Sequence, residues 1–171
     1  GLAIVPFAVA TGLASAFLAP VLMSRVAPRW LVAGSVVVEA AGLLPLIGLT
    51  PGSRYFPLIL IATLIEGLGT GIAGPAALNL ALRGVQPADS GAAGAGTSAA
   101  SQLGASVGAA LLNTIAAAAA SGYLTVHTSA GAATATVHGF TVAMAWGAGI
   151  LVAAAIPVAI FVNAKAAARR R

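Results

Sequence analysis

Charge is scarce in this chain. Three acidic and eight basic residues leave 6% of its 171 residues charged, against 60% hydrophobic, where soluble domains average about 25% charged. With so little polar surface it cannot be covered as a globule in water, so lipid must solvate much of it; mean hydropathy is +1.03. Cysteine is absent, which removes disulfides and thiolate sites and says nothing of compartment. Aromatics make up 5%, which leaves few to mark membrane interfaces. No nucleophile sits beside a base, so an enzyme is not expected, nor is a cofactor. His127 and His138 stand without a nearby carboxylate, so they read as solvated loop residues and no metal site is expected.

What is present is long apolar runs. Five are long enough to cross a bilayer core, which takes about 20 residues. They cover about 2–23, 30–49, 56–82, 91–120 and 140–162. The expected class is an all-α membrane protein with five transmembrane helices. Between the last two, 121–139 is rich in alanine, threonine and serine and reads as a poorly ordered external loop. The opening GLAIVPFAVA lacks the charged start of a signal peptide and is already inside an apolar run. It reads as a piece of a longer chain.

The basic residues follow the links. Arg25 and Arg29 lie between the first and second runs, Arg83 between the third and fourth, and Lys165, Arg169, Arg170 and Arg171 close the chain. With alternate links on alternate sides, all of these share one side, and the other keeps only Arg54. The positive-inside rule makes the first side cytoplasmic, with 163–171 as a cytoplasmic tail. The net charge of +5 thus serves topology, and no nucleic-acid partner is expected. Trp30, Tyr55, Phe56 and Tyr123 fall near the ends of runs, where interfacial aromatics belong.

Chemistry concentrates in 60–112. Glu66 lies well inside the third run, with Thr63 and Thr70 on the same helix face. A carboxylate at that depth costs a few kcal/mol or more when charged. It reads either as a proton-carrying, cation-attracting group facing a cavity or as a neutral acid hydrogen-bonded to a neighbouring helix. Gly67, Gly71 and Pro75 lie around the cylinder from it and serve packing or a local break. Glu39, in the uniformly apolar VVVEAAGLL, reads as a structural acid or one paired to a helix outside this chain.

The fourth run has two stripes. Ser98, Gln102, Ser106 and Asn113 share one sector and could line a cavity. Gly96, Gly104 and Gly108, with Ala100, put small residues at helical-turn spacing, which lets two backbones approach closely. Both stripes also suit plain helix-to-helix packing. Gly69, Gly71 and Gly74 match the G-x-G-x-x-G pattern of dinucleotide sites, with Asp89 following. The apolar run on both sides is too long for a strand leading into an amphipathic helix, so this match carries no nucleotide site.

These residues resemble the major facilitator superfamily, in its fourteen-helix drug:proton antiporter branch. Glu66-Gly67-Leu68-Gly69 and Pro75-Ala76-Ala77-Leu78 are similar to a family pattern of glutamine-glycine-x-glycine followed by P-A-A-L. Glu66 stands at the glutamine position, and Thr63 stands where the motif has arginine, so that arginine's relay role is not carried over. Gln102 to Ala110 resembles a further family stretch, and Arg25-Val26-Ala27-Pro28-Arg29 resembles its cytoplasmic loop motif, with Ser24 in place of an aspartate.

The resemblance implies the last five helices of a carboxy-terminal half. Helices one, three and four would approach the transport cavity, and two and five would be peripheral. It implies a proton-coupled exporter of drugs or small amphipathic compounds in the cytoplasmic membrane, partnered by lipid, protons, substrate and an amino-terminal half. A facilitator for one metabolite and a non-transporting fragment are the competing readings.

Overall fold

Backbone N–H and C=O groups in lipid find no water, so an apolar chain must bond them internally, and helices do this within one segment. The computed structural model describes residues 2–161 and contains helices without strands among them. Five are long and apolar enough to cross a membrane: α1 (Leu2–Arg25), α2 (Pro28–Gly48), α3 (Tyr55–Ala81), α4 (Pro87–Val126) and α5 (Ala132–Ile160). The tail expected at 163–171 lies outside the described residues.

Proline marks where these helices start and loosen. Pro28 and Pro87 occupy first-turn positions, where the missing N–H costs nothing. Pro20 lies inside α1, just after the widened turn Ala14–Leu18, which makes room for a ring that would otherwise strike the preceding turn. Pro45 falls in the tightened last turn of α2, Leu44–Gly48.

One expectation is corrected here. Residues 121–139 are not a loop: α4 continues to Val126 and α5 begins at Ala132, which leaves only 127–131 as the connection. Alanine has the highest helix propensity of any residue, and no proline interrupts the chain between Pro87 and Pro157. Low complexity here means helix.

The helices pack in the order α1, α3, α2, α5, α4, with only slight contact between α3 and α4. One buried cluster joins Ala14, Leu31, Val32, Ile72 and Ala76 across α1, α2 and α3. A second joins Ala40 and Leu43 of α2 to Ala148 of α5. Alanine dominates this core, so backbones come close and van der Waals contact does the packing. By contrast, α4 contributes no buried residue at all.

The helix ends sort the charges. The Tyr55 hydroxyl donates to the Ala3 carbonyl at 2.7 Å, tying the start of α3, beside Arg54, to the start of α1. Arg25, Arg29 and Arg83 lie at the opposite helix ends. The Arg29 guanidinium lies 5.2 Å over the Trp30 ring, a cation–π contact at a helix terminus.

Candidate functional site

Glycine decides how close the helices come. On α3, Gly67 and Gly71 face α1: a Cβ at Gly67 would sit 2.7 Å from the Phe7 carbonyl oxygen, and one at Gly71 would sit 2.5 Å from that of Thr11. Gly69 faces α2, where a Cβ would meet the Glu39 backbone nitrogen at 2.7 Å and the Ser35 carbonyl at 2.8 Å. Gly42 of α2 returns the contact, its Cβ position lying 2.8 Å from the Glu66 nitrogen. Any larger residue at these places would push two backbones apart. Pro75, inside the same helix, is half-buried and precedes the buried Ala76.

This crossing places both intramembrane acids. Glu39 and Glu66 are each three residues before the glycine that meets the opposite helix, in Glu39-Ala-Ala-Gly42 and Glu66-Gly-Leu-Gly69. Each glutamate therefore lies beside the other helix's glycine, and both stand on the wall of one cleft of about 610 Å³. The rest of the lining is apolar: Leu43 from α2, residues including Leu111 and Leu112 from α4, and residues including Met144 and Ile150 from α5. Thr70 stands next to both Glu39 and Glu66. Its hydroxyl donates to the Glu66 backbone carbonyl at 3.0 Å, a bond within its own helix, and its side chain interacts with that of Glu39.

The remaining sequence candidates fall in several places. Thr63 does not join this cleft: its hydroxyl donates to Leu60 at 2.9 Å, and it borders a shallow pocket with Ala3, Ile4, Tyr55 and Ile59. Ser98, Gln102, Ser106 and Asn113 are exposed on α4 and do not line the cleft. Ser106 bonds back to its own helix at Gln102, at 2.8 Å. Gly96, Gly104 and Gly108 have open space where a Cβ would stand, so within the described residues their stripe packs against nothing, although Gly108 borders the cleft. A small-residue stripe brings helices together only where a second helix faces it, and none does here. Arg25 is exposed, and the Arg29 Nε is buried without a hydrogen-bond partner among the described residues.

Two findings went unread in the sequence. The family resemblance puts Glu39 and α2 at the periphery, yet Glu39 shares the cleft with Glu66, because the Gly42–Gly69 crossing brings both residues to its wall. The matching E-x-x-G spacing on two adjacent helices was the available signal. The histidines also do not stand alone. Tyr123 stacks on His127 with centroids 4.2 Å apart, and His138 of α5 approaches the same ring at 4.6 Å. Gly139 beside it lets α5 press against the Ala116 backbone of α4.

A cleft of this kind can hold a small amphipathic molecule against apolar walls and present it with two carboxyl groups. No family model matches the chain. It is similar to the puromycin resistance protein pur8 of Streptomyces alboniger, with 35% identity over 169 residues. That match covers 96% of this chain and 34% of the relative, so the chain spans about a third of the length of the curated relative it matches.

Proposed function

We propose that this chain is part of a proton-coupled secondary transporter that exports drugs or other small amphipathic compounds across the cytoplasmic membrane. The observation that carries the reading is Glu66, a carboxyl group in the middle of a membrane-length helix that faces a cleft of about 610 Å³. The similarity to a puromycin resistance protein supports it. Intramembrane acids are costly and mark proton and ion pathways by default.

Glu66 works by alternation. Against dry protein the charged form is expensive, so the group keeps its proton. When the cleft opens to water, the proton leaves and the carboxylate attracts a lipophilic cation. Closing and reopening on the other side reverses both events, which couples proton entry to substrate exit. The exposed face of α4 and the open glycines on it fit a second set of helices that completes the substrate path. Alternating access rocks one bundle against another around a fixed site.

The direct test is Glu66→Gln in the full-length transporter. Glutamine keeps shape and hydrogen bonding but exchanges no proton, so efflux of cationic substrates falls at least tenfold while the amount of inserted protein is unchanged. Wild-type efflux by this variant across a range of external pH would remove Glu66 from the mechanism. Orientation is tested separately. Arg25, Arg29 and Arg83 lie at helix ends of one side, which the positive-inside rule makes cytoplasmic, so a reporter active only outside the cell, fused after Arg171, gives no signal.

A further inference from the structure

Glu39 has no part in the mechanism just given, and its geometry calls for one. Its helix crosses α3 at the two reciprocal glycine contacts, Gly69 on the Glu39 backbone and Gly42 on Glu66. The two acids are thus set by one close crossing. They share one cleft, and Glu66 acts electrostatically on Glu39 across it. From α4 and α5 the cleft receives only apolar residues, and α1, on the far side of α3, carries no titratable side chain before Arg25. Among the described residues, then, each carboxyl group has only the other for a titratable neighbour.

Such a pair has three charge states. Two like charges close together in an apolar surround repel strongly, so the doubly ionised form exists only when the cleft is wet or holds a cation. In the closed cleft without a cation both groups carry protons. Opening the cleft to the cytoplasm thus empties the two together, and opening it outward refills them.

We infer that Glu39 is the second proton carrier of the Glu66 site, so that the pair exchanges two protons for each substrate monocation. The inference rests on the proposed transport role of Glu66. The balance is explicit: facing the cytoplasm, the pair releases two protons and takes one cation. Facing outward it releases the cation and takes two protons. Each cycle carries one net positive charge inward, so the membrane potential drives export alongside the pH gradient. With Glu39 made neutral, one proton exchanges for one cation and no net charge moves.

The test uses the full-length transporter in liposomes, with tetraphenylphosphonium as the monocation, under a pH gradient alone and under an imposed membrane potential alone. Wild type exports the probe under either force, and Glu39→Gln exports it only under the pH gradient, its proton-to-probe ratio falling from about two to about one. A merely structural Glu39 would slow both modes together and leave the ratio unchanged. That result would overturn the inference and leave Glu66 in place. Full proton-coupled export by Glu66→Gln would instead overturn the reading on which it rests. Should Glu39→Gln fail to insert, dicyclohexylcarbodiimide, which reaches protonated carboxyls from lipid, is applied to the wild type. Labelling of Glu39 as well as Glu66, lost in the presence of the probe, supports the pair; labelling of Glu66 alone overturns it.

Discussion

The α1–α3–α2 layer and α4 are built from the same small apolar residues and behave in opposite ways. In the first, Gly67, Gly69, Gly71 and Gly42 each meet a neighbouring backbone, and the alanines around them are buried. In α4, Gly96, Gly104 and Gly108 meet nothing, and no residue is buried along the whole helix. The difference teaches that a glycine stripe in a membrane helix is half of a contact. Its energy resides in the pair of surfaces, because lipid tails solvate a lone apolar helix as well as another helix would.

The comparison breaks most sharply at Gly69. Leucine there would drive α2 and α3 apart at the point where both acids are placed. Overpacking of this kind typically costs about 1–3 kcal/mol, and more where backbone is the obstacle. Gly69→Leu leaves little stably inserted protein, read as the amount recovered in detergent and its melting temperature. A smaller effect separates the two regions by context. Gly104→Leu leaves the melting of this 171-residue chain unchanged, and lowers by several degrees that of the larger transporter proposed above. Equal behaviour in the two contexts would mean that no helix covers the α4 face. The smallest effect is at the far end of α4, where Tyr123→Leu removes the ring between His127 and His138. Aromatic contacts of this type are worth about 0.5–1.5 kcal/mol. The α4–α5 hairpin therefore exchanges its amide hydrogens up to about tenfold faster near residues 121–138, while the α2–α3 crossing is unaffected.

How much of this was legible before the fold depended on whether the signal was local. Hydropathy marks the spans residue by residue, and Glu66 is visible as a lone acid in an apolar run. Glu39 has the same local appearance but draws its meaning from Gly69, thirty positions later, and a single helix cannot announce what crosses it. In sequence, the polar stripe of Ser98, Gln102, Ser106 and Asn113 suits a cavity wall and helix packing alike. In the described chain it does neither, because periodicity gives the face of a helix and not what stands opposite. In 121–139 composition misleads: alanine with threonine and serine looks like a linker, whereas helix propensity and the missing prolines favour helix.

The regular part of α4, Ser90–Val126, is 37 residues long. At about 1.5 Å per residue that is roughly 55 Å of rod, against a hydrocarbon core of about 30 Å. Even tilted by about 40°, the steep end of what membrane helices adopt, it spends only about 39 Å in that core. Some three turns must then stand in the headgroups or in water. Ser121, Thr125, His127 and His138 cluster at the end joined to α5, so the projecting part is best placed there, with α5 alongside. The α4–α5 hairpin is therefore a mast rather than a buried strut. Its tip, at the end away from Arg25, Arg29 and Arg83, offers proteases and water-soluble reagents a rigid handle.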